Sequence, residues 1–161
     1  MAIAIAVIAV TFMGIIGLLG VGLETGQAST QQTVGTNIAD AIIADLRSTP
    51  NFATTTVRYG LTLPTPPTTP NTSLTPLAGL TPAILYFDIN GNFISPINAS
   101  PAPTNAVFAA RVYNAAIVSV GPASSTSLAQ TMDLVRVVVT WPAAAAVPTG
   151  SLEVISQVRI H

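Results

Sequence analysis

Twenty-three residues pass from Met1 to Leu23 before the first charged side chain, Glu24, and Thr11 is the clearly polar one among them. The apolar character runs all the way round, where a surface helix of a soluble domain would show polar positions every third or fourth residue. At about 1.5 Å per residue such a helix is roughly 35 Å long, enough to cross a hydrocarbon core of about 30 Å with some tilt. Ile5, Ile8, Phe12, Ile15, Ile16 and Leu19 are the side chains expected to meet an apolar medium. Glycines at 14, 17, 20, 22 and 26 interrupt the run, and Gly22 to Gly26 is formally a GxxxG. Small residues let helices approach closely in lipid, while each glycine weakens a helix by about 1 kcal/mol relative to alanine.

Past Glu24 the chain turns polar but keeps a helical beat. Val34, Ile38, Ile42 and Leu46 recur every four residues, with Ile43 beside them and Asp40 and Asp45 expected to face elsewhere. Ser48-Thr49-Pro50 ends the pattern, because the residue before a proline is pushed out of the α region. One long helix over about 2–47 is expected: an apolar half, 1–23, and an amphipathic half, 24–47, offering one apolar stripe to a body.

Residues 48–83 change composition. The stretch LPTPPTTPNTSLTPLAGLTP holds six prolines and six threonines with no charge, so it reads as an extended loop over the surface. Asn71 and Asn98 each begin an Asn-X-Ser pattern, and both read as loop positions first. From 84 to 161 the beat becomes that of strands: two short runs around a two-residue turn, Asn90-Gly91, then strands near 106–120, 133–141 and 151–160. Short links between consecutive strands predict an antiparallel meander. The fold class expected is α+β, a long N-terminal helix whose second half packs, through Val34, Ile38, Ile42 and Leu46, on a C-terminal antiparallel sheet of about four to five strands.

Composition narrows the function. Half of the 161 residues are hydrophobic and only 7% are charged, against roughly 25% in an ordinary soluble domain. Lysine is absent and the net charge is −1, so the chain has no electrostatic footprint for nucleic acid. Cysteine is absent too, which excludes disulfides, thiolate catalysis and cysteine-ligated metals. The rest of the composition is rich in Thr, Ala, Ser, Asn and Pro, which with so few charges suits an extracytoplasmic, surface-displayed protein.

Candidate chemistry is sparse. The single histidine is His161, at the chain end, and the six carboxylates, Glu24, Asp40, Asp45, Asp88, Asp133 and Glu153, show no spacing that pairs them. Asp88-Ile-Asn-Gly-Asn92 resembles the start of a calcium loop, but Phe93 and Ala99 stand where an EF-hand requires glycine and glutamate. Trp141, Tyr86 and Phe87 sit on strand positions and read as core. No phosphate-binding glycine loop follows a strand. No catalytic residue, cofactor or metal is therefore expected, and the chain does not read as an enzyme.

The run AIAIAVIAVTFMGIIGLLGVGLETGQAST, followed by NIADAIIADLR, resembles the N-terminal helix of type IV pilins and type II secretion pseudopilins, especially minor pilin-like proteins of the Verru_Chthon cassette protein B type. The resemblance covers about the first 47 residues. It implies a structural filament subunit, held in the inner membrane before assembly and displayed afterwards at the bacterial cell surface. Partners so implied are copies of itself, other pilin-like subunits, membrane lipid, a prepilin peptidase and an assembly platform with its ATPase. Family precursors carry a basic leader and a glutamate at the fifth mature position; Ile5 stands there instead, and the expectation is that Met1 corresponds to the position just after that glutamate. The alternative is a membrane-anchored or secreted surface binding module that forms no filament. Gly26-Gln27-Ala28 offers small residues for a signal peptidase in the secreted version.

Overall fold

The computed structural model describes residues 2–50, 53–64, 80–94, 96–119 and 130–159. Helix α1 spans Ala2–Ser48. Its end is written locally: the hydroxyls of Ser48 and Thr49 donate to the Asp45 carbonyl at 3.0 and 2.7 Å, satisfying an acceptor that the next turn of helix would have used. Arg47 in the last turn meets the negative end of the helix dipole.

Five strands follow, β1 (Ala83–Phe87), β2 (Phe93–Ile94), β3 (Phe108–Ser119), β4 (Gln130–Trp141) and β5 (Gly150–Arg159). They form one antiparallel sheet in the order β2-β1-β3-β4-β5. The β-branched content of β4 suits a pleated, half-buried surface. Its alternation sends Val135, Val137 and Val139 to one face, where all three are fully buried. The core gathers these with Ile38, Ile42, Leu46, Phe87, Phe108 and Trp141. Burying each large side chain contributes about 1.5–3 kcal/mol.

The chain divides into two units, Met1–Thr33 and Val34–His161. In the first, the described side chains Phe12, Met13 and Leu23 and every residue from Thr25 to Thr30 are exposed. Thr30 and Thr33 turn their hydroxyls back onto the carbonyls of Gly26 and Ser29, at 3.0 and 2.9 Å. In the second, the helix from Val34 onward enters the core.

This corrects the expected fold in three respects. A helix whose whole second half, 24–47, lies on the sheet is not what forms: packing on the core begins at Val34, and the stretch before it is polar apart from glycine and the exposed Ala28. The sheet is not a plain meander. From β2 at the edge the chain passes β1 and enters on its far side as β3; β2 is only two residues long and pairs only with Tyr86 and Phe87. Asn98 covers the rest of that edge: its backbone N–H donates to Ile84 O at 2.8 Å and its side-chain oxygen accepts the Ile84 N–H at 2.7 Å. The third respect is the loop 48–83, whose segment 53–64 is not simply surface. Tyr59, Leu61 and Leu63 are buried, and Tyr59 meets Phe87 and Phe93 edge-on at 5.9 and 5.4 Å.

The turn between β1 and β2 also differs from the two-residue form expected at Asn90-Gly91. Five residues, Asp88 to Asn92, make the connection, and of the two expected positions only Gly91 takes a positive φ, +79°. The Asp88 carboxylate organises it, accepting the N–H groups of Asn90 and Asn92 at 2.8 Å each and the Asn92 side-chain amide at 2.9 Å.

Candidate functional site

Among the described residues Asp45, Asp88 and Glu153 can each be followed to a partner. Asp88 is consumed by its own turn; the Asn92 side-chain amide is the main cause of a pKa held below the usual carboxylate value, with the backbone N–H groups adding to it. A cation would have to displace these donors, so the calcium resemblance of this loop ends in a hydrogen-bonded turn. Glu153 on β5 pairs with Arg136 on β4 at 2.8 Å across the exposed sheet face, and the Arg136 hydrogen bond lowers its pKa. Asp40 is exposed on α1. Among the described residues no group of three His, Cys, Asp or Glu side chains stands close enough to hold a metal ion.

Among the described residues two carboxylates are inside. Asp45, expected on a solvated face, is buried and accepts the backbone N–H groups of Arg58 and Tyr59 at 3.0 and 3.1 Å. Thus α1 is tied to the segment that carries Tyr59 and Leu61. Asp133 is 1% exposed, and neither of its oxygens has a hydrogen-bond partner. Asn114 on β3 lies beside it with its own side-chain oxygen also unpartnered. Burial pushes the Asp133 pKa up to about 6, against the opposing pull of the Asn114 amide.

Both positions carried a signal in the chain. Asp45 lies seven residues beyond Ile38 and three beyond Ile42, on the same side of a helix. Asp133 shares the period-two face of Val135, Val137 and Val139. A cavity of about 270 Å³ opens near this corner, lined by Leu61, Thr62, Ile97, Asn98, Val112 and Asn114 among others. The polar groups around it are neutral amides and hydroxyls, which can hold a molecule but supply neither nucleophile with base nor general acid.

Of the apolar residues expected to meet lipid or a filament neighbour, Phe12 is described and 64% exposed. The side chains of Ile5, Ile8, Ile15, Ile16 and Leu19 lie outside the described residues. A Cβ added to Gly22 or Gly26 would meet nothing within 4 Å, so both glycines present bare backbone. Among the described residues, no helix is long and apolar enough to cross a membrane. Of the residues expected to join helix to sheet, Ile38, Ile42 and Leu46 are buried in the core and Val34 is half-buried against it. Asn90 is exposed, while Gly91 approaches the helix so closely that a Cβ there would lie 3.4 Å from Val34. His161 and Asn71 lie outside the described residues.

No family model, no curated protein and no solved structure matches the chain.

Proposed function

We propose that this chain is a non-enzymatic structural subunit of a type IV pilus-like or type II secretion filament. The observation that carries the reading is the exposure of Phe12, Met13 and Leu23, at 64, 78 and 66%, on a helix whose first 23 residues contain no charge. Apolar surface of that kind is stabilised by removal from water at roughly 25 cal/mol per Å², and lipid or neighbouring copies of the same helix both provide it. Before assembly the helix is held in the inner membrane of a bacterium. Afterwards it lies against its neighbours in a filament core, with Gly22 and Gly26 allowing close approach. The body bearing the sheet is displayed outside the cell. The family resemblance adds the partners: other pilin-like subunits, an assembly platform and a prepilin peptidase.

The absence of cysteine makes the test clean. The double variant Phe12→Cys, Leu23→Cys places two thiols on the exposed helix and nowhere else. Expressed in the native cell and oxidised, it is expected to yield a ladder of multimers in sheared surface filaments. Intact-mass analysis of the same fraction then reads the processed N-terminus. A protein confined to membranes as monomer, or secreted with a start near Ser29, would replace this reading by the anchored or secreted module.

A further inference from the structure

The core face of β4 begins with a polar residue. Asp133, Val135, Val137 and Val139 share that face and all are buried. Beside Val135 stand Asn114 on β3 and Ser156 on β5; opposite Asp133 stands Val158 on β5. Asn114 and Asp133 are therefore diagonal neighbours on one face of the sheet, a separation that side chains can bridge. Between them they present three unpartnered oxygens, Asn114 Oδ1 and Asp133 Oδ1 and Oδ2, all sealed from solvent.

Nothing charged among the described residues answers them. From α1, Arg47 reaches this end of the sheet, but its guanidinium donates to Ser156 Oγ at 3.1 Å, and Asp45 is occupied by Arg58 and Tyr59. From the segment 53–64, Arg58 lies over the Tyr59 ring. Ala116 and Val158, opposite Asp133 on β3 and β5, and Asn114 and Ser156, diagonal to it, are neutral.

Three buried acceptors whose one neighbouring side-chain donor is the Asn114 amide nitrogen are costly in a low-dielectric interior. Calcium would need six to eight oxygens, where two side chains offer three. Water needs room and two to four partners, and the cavity that Asn114 lines does not open onto its Oδ1. A proton needs no room. The Asn114 amide can turn its oxygen toward an acid or its N–H toward a carboxylate.

We propose that in mildly acidic solution Asp133 is carried as the neutral acid, that its O–H donates to Asn114 Oδ1, and that this acid–amide pair is a proton-operated clamp between β3 and β4. The raised pKa of Asp133 agrees in direction with that assignment. When the proton leaves, the buried carboxylate keeps only the Asn114 N–H to offset its lost hydration, and the clamp weakens.

The test uses the full chain in detergent. The Asp133 carboxyl carbon is titrated by NMR, and urea unfolding is followed across the same pH range for wild type and Asp133→Asn. The expected midpoint lies near 6. The wild-type unfolding equilibrium constant is expected to rise about fiftyfold between about pH 4 and pH 7 relative to the variant. A midpoint below about 4.5, in the ordinary carboxylate range, or identical pH dependence in both proteins would overturn the proposal. So would a shift of the Asp133 signal on adding calcium at neutral pH, which would make the pair a metal site. If the variant fails to fold, the wild-type titration decides alone.

Discussion

The side chain of Asp45 closes on the backbone of Tyr59. Its two carboxylate oxygens accept the N–H groups of Arg58 and Tyr59 at 3.0 and 3.1 Å, with Asp45 itself buried. This fastens a segment without regular structure to the helix and holds the Tyr59 ring between Phe87 and Phe93. Hydrogen bonds to a charged group contribute about 1.5–3 kcal/mol each, and an N–H left buried adds a penalty. Asp45→Ala is expected to cost about 3 kcal/mol in urea unfolding, and Asp45→Asn, which keeps one acceptor, about half of that. Equal stability of Asp45→Ala and wild type would show that the two bonds contribute nothing net.

Trp141 leaves no space for a side chain at Gly150. A Cβ built there would fall inside the indole, while at Gly35 on the helix it would stand 3.2 Å from the same ring. The indole cannot move freely, since it is buried and lies edge-on to Phe108 at 5.9 Å. Gly150→Ala is expected to destabilise by about 1–3 kcal/mol, as overpacking does. Gly35→Ala is expected to cost less, because alanine's higher helix propensity offsets part of a milder crowding. The reverse ranking in thermal melts would refute the indole's position.

Ile42 and Leu23 lie on one helix and differ in exposure. Ile42 is fully buried; Leu23 is 66% exposed. Ile42→Ala is expected to cost about 2–5 kcal/mol of stability. Leu23→Ser is expected to leave the unfolding of the body unchanged and to reduce recovery of the protein in sheared filaments. Loss of stability without loss of assembly in Leu23→Ser would contradict the proposed division of labour.

Acid and base act on this protein with opposite signs. Asp133, whose pKa is raised to about 6 by burial, contributes stability that is fully present below its unfolded value and lost as pH rises through the folded one. Asp88 and Glu153, lowered chiefly by Asn92 and Arg136, contribute stability present above their unfolded values and lost as pH falls through the folded ones. The melting temperature is therefore expected to rise from about pH 7 down to about pH 4.5 and to fall below about pH 3.5. Asp133→Asn should flatten the first limb, and Asp88→Asn should weaken the second. A profile that rises steadily from acid to neutral pH in the wild type would exclude the Asp133 contribution.

Local pattern decided a good deal. The four-residue beat of Ile38, Ile42 and Leu46 assigns them to one helix face, and the alternation through Val135, Val137 and Val139 assigns them to one sheet face; all are buried. These assignments depend on backbone geometry that repeats every few residues, so a short window of sequence contains them. The tertiary structure decided what covers each face. It brought Tyr59, Leu61 and Leu63 out of a Pro- and Thr-rich region into the core, carried the chain from β2 past β1 to β3, and gave Asp45 two backbone N–H donors more than a dozen residues away. It also set Asp133 and Asn114 as diagonal neighbours with three side-chain oxygens unpartnered. A period marks the side of an element that will be buried; the partner that arrives there depends on contacts distant in the chain, which no local repeat encodes.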